Sequence, residues 1–286
     1  MKLGVSTYSL YKALQSGEMD IEGVIDWIAD QGGEHVEIVP LGFELAGNHE
    51  LADSLRRKAE SRELEISNYA IGANFLTDSE ESFEREVERV KREVDLAAVL
   101  GVKKMRHDVA KSEDISIRNF HNQLERMTRA CQEIADYALQ YGITTSVENH
   151  GFFVQHSDRV QALIHAVDRP NFRTTMDLGN FLCVDEDPAA AVRNNLSYAS
   201  MVHVKDFYRR PSYLNPGEGW FQTPSGTYLR GAIVGHGDID LRDILRIIKG
   251  SGYDGYISLE FEGLEECKTG TRIGLQNIRR LWDDIS

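Results

Sequence analysis

Four side chains of metal-binding type, Glu148, Asp177, His203 and Glu260, each stand at the end of a short apolar, β-rich run: TTSVE, RTTMD, SMVH and YISLE. Packing alone gives no reason for a charge at those positions. If the runs are neighbouring strands, three carboxylates and an imidazole meet at one point. The carboxylates would then repel and raise one another's pKa unless a cation joined them. One divalent ion removes that difficulty. Three oxygen donors and one imidazole suit Mn²⁺, Mg²⁺, Co²⁺ or Zn²⁺, and the oxygen-rich set points first to Mn²⁺. Any one of the four is explained as readily by pairing with a Lys or Arg; their recurrence at four matching strand ends favours the metal.

The elements that must position them alternate along the whole chain. β-rich runs at 2–7, 35–39, 65–71, 102–106, 143–148, 173–177, 201–205 and 256–261 are separated by amphipathic stretches. Leu51, Leu55 and Ala59 share one helical face, as do Phe83, Val87, Val90 and Val94, and Leu241, Ile244, Leu245 and Ile248. Gly101 and Gly142 mark helix ends, Ser157-Asp158 a helix start, and Pro188 a first helical turn. Helices between strands imply parallel crossovers. Eight such units predict a single-domain α/β fold over 1–286, the closed (β/α)8 TIM barrel. An open doubly wound sheet would share the alternation. It usually carries a glycine-rich phosphate loop after its first strand, where this chain reads GVSTYSLYKAL. Between the seventh strand and its helix, an insert from about 207 to 237 contains Pro211, Pro216 and Pro224 among several aromatics. Its length predicts a substrate-covering loop.

The 286 residues carry 32 Lys and Arg against 46 Asp and Glu, a net charge of −14 that disfavours nucleic acid as a partner. Three scattered cysteines without a CxxC pair, no signal-like N-terminus and no membrane-length apolar run lead us to expect a cytoplasmic protein with no membrane partner. A homo-oligomer is compatible with all of this.

In a barrel, chemistry sits at the C-terminal strand ends. Alternation beyond Glu148 and His203 predicts that His150 and Lys205 also point inward, as proton donors or substrate ligands, with pairing to barrel carboxylates as the plainer role. Arg106 or His107 on strand four, Tyr69 on strand three and Glu37 on strand two are further candidates for substrate contact. On the insert, Trp220 and Arg230 are candidates to close over substrate, beside Phe221 and Tyr228.

The segments VENHG, TTMDLGN, HVKDF, GHGDID and SLEFEG together resemble the xylose isomerase-like barrels, the sugar phosphate isomerase/epimerase group, across nearly the whole chain. The resemblance places that family's metal ligands on Glu148, Asp177, His203 and Glu260. It implies a metal-dependent sugar isomerase or epimerase acting on a ketose, sugar or inositol-like polyol. A cation bound to a carbonyl and its neighbouring hydroxyl acidifies the adjacent C–H and holds the enediolate. Proton return to the adjacent carbon is isomerisation; return to the opposite face is epimerisation. In the resembling epimerases the two glutamates, here Glu148 and Glu260, also serve as acid and base. The pairs Glu148/His150 and His203/Lys205 are similar to those of the superfamily's dehydratases, which makes a lyase acting on a keto-polyol or dehydroshikimate-like substrate the alternative. Arg209 falls where ketose epimerases place a substrate-binding arginine, whereas Asn180 stands where they place a histidine. That same Asn180 departs from the three-zinc pattern of the family's abasic-site endonucleases. A metal-free binding module is the remaining alternative.

Overall fold

The eight runs form the staves of one closed parallel barrel in the computed structural model, which describes residues 1–285. They are β1 (Lys2–Ser6), β2 (His35–Ile38), β3 (Glu65–Ile71), β4 (Lys104–His107), β5 (Thr144–Glu148), β6 (Phe172–Asp177), β7 (Ala199–Val204) and, after the insert, β11 (Tyr256–Leu259). Each end lies within two residues of the run read from sequence. The order around the barrel is β1-β11-β7-β6-β5-β4-β3-β2. The α-helices among the described residues are α1 (Tyr11–Gln15), α2 (Ile21–Asp30), α3 (His49–Ser61), α4 (Glu80–Val99), α5 (Ile117–Leu139), α6 (Ser157–Val167), α7 (Asn180–Cys183), α8 (Pro188–Asn195), α9 (Leu241–Gly250) and α10 (Cys267–Asp284).

Two layers of packing explain the sequence pattern. Outward strand residues such as Val36, Met105, Val147, Met176 and Val202 are fully buried with helix residues such as Val24, Leu55, Val90 and Ile134. Burial of that shell supplies the main driving force for closure. The lumen is polar instead: Glu37, Asn68, Ser146, Thr175, His203 and Ser258 point into it, all buried. Helix starts follow local chemistry, with side-chain caps from Asp20, Asn48, Ser79, Ser116, Asp187 and Asp240. The start of α6 differs from expectation. His156 is its cap residue, with no side-chain cap bond, and Ser157 bonds Glu186 through both its N–H and its hydroxyl.

The insert combines a small sheet with an irregular stretch at 211–220. β8 (Asp206–Arg210), β9 (Phe221–Gln222) and β10 (Tyr228–Ala232) pair antiparallel in the order β8-β10-β9. Buried Asp206 fixes its base: the carboxylate accepts N–H bonds from Phe207 (2.9 Å), Gly235 (2.9 Å), Gly237 (2.8 Å) and Ile239 (3.4 Å). A side chain at position 237 would collide with that carboxylate, hence the glycine. Asp185 holds the far turn, accepting from the Thr223 hydroxyl (2.6 Å) and from the Ser225 N–H (2.8 Å) and hydroxyl (2.6 Å). These bonds fasten the insert at both ends, and none of its residues lines the cavity that Glu148 and Glu260 border. Asp206→Ala leaves these buried donors without their acceptor, and we expect it to lower unfolding stability by about 2–4 kcal/mol. An unchanged urea midpoint would show that the insert is not anchored there.

The three cysteines are free and buried. No helix among the described residues is long and apolar enough to cross a membrane.

Candidate metal centre

The closing residues of β5 and β6, His203 of β7 and the residue just after β11 point to one spot. One ligand atom from each of Glu148, Asp177, His203 and Glu260 can be chosen so that all four lie within 4.8 Å of one another. Register explains the convergence. Asp177 pairs with His203, and His203 with Ser258, so alternation turns these side chains to the lumen at one level.

Each member is held from behind. His203 Nε2 lies 2.9 Å from Oε2 and 3.0 Å from Oε1 of Glu37, which also accepts from Asn68 Nδ2 at 2.7 Å. That leaves Nδ1 facing Glu260 (3.4 Å) and Glu148 (3.7 Å) with no hydrogen-bond partner. Asp177 takes the N–H groups of Gly179 (2.8 Å) and Asn180 (2.9 Å) on Oδ1, while Oδ2 has no hydrogen-bond partner. Asn149 clasps the backbone of Asp177 from both sides, at 2.7 and 2.8 Å. Arg106 Nη2 stands 2.6 Å from Glu148 Oε2. Lys205 Nζ lies 3.2 Å from Glu260, 3.3 Å from Asp177 and 3.4 Å from Glu262.

The charges test whether a cation fits. Glu37, Glu148, Asp177 and Glu260 are buried, and their fixed cationic neighbours are Arg106 and Lys205. Two negative charges remain, the number one divalent ion neutralises with His203 neutral. The geometry agrees: Glu37 takes the Nε2 proton, leaving the Nδ1 lone pair for a metal. Among protein groups alone, burial works to lower the His203 imidazole. Glu37, Glu260 and Glu148 outweigh it and hold the ring well above its usual range. A proton there stands in for a cation. Burial raises the Glu260 carboxyl, against the pull of His203 and Lys205. It works the same way on Glu148, but Arg106 and His203 overcome it and hold that carboxyl well below the usual range.

A cavity of about 430 Å³ opens over the centre. Glu148, Glu260, Arg106, Tyr8 and His150 line it, whereas Asp177 and His203 lie beneath. Asn180, in the first turn of α7, donates to Glu148 (3.2 Å) and faces Lys205 (3.4 Å). Of the strand-four pair, Arg106 faces the cavity, and His107 is buried beside Phe75 and Phe172.

Other expected positions differ. β5 ends at Glu148 and the chain bends at Asn149, so strand alternation does not carry His150 inward. It stands at the rim, 48% exposed, with Nδ1 3.5 Å from Asp108. Tyr69 borders the cavity but gives its hydroxyl to Glu93 (2.7 Å). Glu37 is completely buried behind His203, out of reach of a substrate hydroxyl. Arg209 is carried outward on β8 to a separate surface depression with Pro211, Tyr213 and Asp238. Trp220 and Arg230 serve the insert's own packing. The Arg230 and Arg210 guanidinium groups lie 5.4 and 5.5 Å from the Trp220 ring centre, and neither Trp220 nor Arg230 lines the cavity. Sequence reasoning missed Asn149, Asp108 and Asn68. Asn149 was findable as an amide directly after a proposed ligand; Asp108 lines the cavity beside Arg106 and His150, and Asn68 acts through Glu37 on the neighbouring strand.

No curated protein sequence matches the chain significantly. Among solved structures, the zinc-containing IolI protein superposes with a TM-score of 0.80 at 15% identity, over 100% of this chain and 99% of its own. The probable 3-DHS dehydratase AsbF of Bacillus anthracis gives 0.76 at 16%, over 98% and 99%. The 3-keto-D-glucoside 4-epimerase YcjR of E. coli gives 0.74 at 13%, over 98% and 99%. At such identities the likeness supports the fold. The family model of the xylose isomerase-like TIM barrel matches residues 25–281, and the chain therefore belongs to that family.

Proposed function

We propose that the protein is a divalent-metal-dependent isomerase or epimerase of a polyhydroxylated carbonyl compound. One observation carries this reading: of the four converging ligands, the two that line the cavity are Glu148 and Glu260. Glu148, Asp177, His203 and Glu260 would hold the cation, with Mn²⁺ the first choice for an oxygen-rich set. Bound there, the ion supplies Lewis-acid polarisation of a carbonyl and its neighbouring hydroxyl. The chain's own groups then divide the proton work. Glu260, which lines the cavity beside Lys205, would serve as the proton acceptor. Glu148 is kept ionised beside Arg106 and shuttles the proton on the other side of the substrate. Asn180 fixes the orientation of Glu148.

A dehydratase reading is favoured by Lys205, whose ammonium stands beside Glu260 and Asp177 and would protonate a departing hydroxyl. Metal-loaded protein incubated in D2O with a panel of ketoses, keto-inositols and dehydroshikimate separates the two by product mass. Isomerisation or epimerisation conserves composition and brings in solvent deuterium; elimination loses one water. We expect deuterium uptake without water loss, persisting in Lys205→Ala at a reduced rate. Water loss abolished by Lys205→Ala would replace the isomerase reading with the lyase.

A further inference from the structure

The cavity does not end over the metal ligands. From Glu148, Glu260 and Arg106 it continues past Ile71 and Gly72, at the end of β3, to Arg89 and Glu93 of α4. Glu86, Arg89 and Glu93 recur three and four residues apart and so share one stripe of that helix. Most acidic groups of α4 stand in solvent, yet the Glu93 side chain is only 8% exposed. Its hydrogen bonding is incomplete. Oε2 accepts from the Tyr69 hydroxyl at 2.7 Å. Oε1 faces Arg89 Nη1 at 3.9 Å, too far for a hydrogen bond, and no other donor among the described residues reaches it. Arg89 is held elsewhere. Its Nε and Nη2 each donate to Glu86 at 2.8 Å, and Nη2 also donates to the Gly72 carbonyl at 2.7 Å. A carboxylate oxygen withdrawn from water is costly to leave without a donor. Here the under-satisfied group borders the same cavity as the two acid/base glutamates.

We infer that Glu93 and Arg89 determine specificity by reading a substrate hydroxyl remote from the carbonyl. That hydroxyl donates to Glu93 Oε1 and accepts from Arg89 Nη1, filling the gap between them. The pair takes no part in proton transfer; it selects a polyhydroxylated carbonyl compound with a free hydroxyl on the part lying away from the metal. This rests on the proposed metal-site reading and deepens it. Val39, Leu41 and Phe43 of the same cavity meet C–H faces, which polyols have in common. A site built to hydrogen-bond a hydroxyl supplies the discrimination that such apolar contact lacks, because an analogue without the group leaves buried polar atoms unpaired.

Solvent deuterium exchange beside the carbonyl, catalysed by Mn²⁺-loaded protein, tests the inference. The probes are D-fructose, D-tagatose, D-psicose and L-sorbose, followed by the 4-, 5- and 6-deoxy forms of whichever exchanges fastest. One deoxy form should lose about 10–100-fold in kcat/KM, mostly through KM, because a hydrogen bond to a charged group is missing. In Glu93→Gln, which still accepts from Tyr69, the parent ketose should lose affinity and the gap to that deoxy form should shrink severalfold with kcat little changed. A purely structural tie between Glu93 and Tyr69 predicts no such dependence on one hydroxyl. Equal kcat/KM for the parent and all three deoxy forms, or a gap undiminished in Glu93→Gln, would overturn the inference; exchange on none of the four ketoses would overturn it together with the ketose reading. A separate Mn²⁺ titration keeps the two levels apart: absence of Mn²⁺ binding sinks the metal centre, whereas bound Mn²⁺ and exchange without hydroxyl discrimination sink only the role of Glu93 and Arg89.

Discussion

Glu260→Gln is expected to reduce substrate turnover and solvent deuterium exchange by about 10³-fold or more, while leaving the barrel folded. Glutamine has nearly the same shape, so the shell between strands and helices is undisturbed. It cannot accept a proton at neutral pH, and loss of a positioned general base removes roughly 10²–10⁴ in rate. The weaker amide ligand adds to that loss. Lys205, 3.2 Å from Glu260, would also lose a counter-charge. Removing one negative charge leaves the buried groups with one negative charge, so a divalent cation overcompensates and its affinity should fall as well. Deuterium exchange into a confirmed substrate, far-UV circular dichroism and metal content together check the expectation. Exchange at the wild-type rate, with metal bound, would remove Glu260 from the proton-transfer role.

The four converging ligands were legible because the relevant order is local. A charge at the end of an apolar run, in a fold whose strand ends share one face, points to a site wherever strand parity holds. Parity holds at Glu148, Asp177 and His203, and Glu260 follows β11 by one residue. Beyond Glu148 regular extension stops and Asn149 turns inward to clasp Asp177, so His150 reaches the cavity at its rim rather than in the lumen. The strands of the insert are hidden in the sequence for a related reason. PSYLNPGEGW has loop composition, and β9 is two residues long. Its order comes from Asp206 and Asp185, whose partners lie about 30 to 40 residues away and leave no periodic trace. Arg209, Trp220 and Arg230 followed that segment away from the cavity. Lys205, inward by parity, was placed where alternation puts it, and only the structure brings Glu262 and Tyr8 alongside it.

The layer behind the ligands should matter as much to the metal as the ligands do. Glu37→Gln is expected to weaken Mn²⁺ binding about 10–100-fold, although residue 37 touches no proposed substrate or cation. Glu37 accepts from both Asn68 Nδ2 and His203 Nε2. Both donors meet Oε1, and Oε2 also lies 2.9 Å from His203 Nε2, so an amide must put its NH2 against one donor or the other. If that NH2 faces His203, the ring is driven to carry its proton on Nδ1, the atom needed by the cation. If it faces Asn68, a buried amide repulsion loosens β2 against β3. The imidazole also loses the anion that strengthens it as a donor to metal. Binding isotherms for Mn²⁺ to wild type, Glu37→Gln and Asn68→Ala distinguish these effects. Asn68→Ala frees the carboxylate of one donor but keeps its hold on His203, so it should weaken binding far less. Equal Mn²⁺ affinity in wild type and Glu37→Gln would mean that His203 does not depend on Glu37 for its tautomer, and that its unpartnered Nδ1 is not held for a cation from behind.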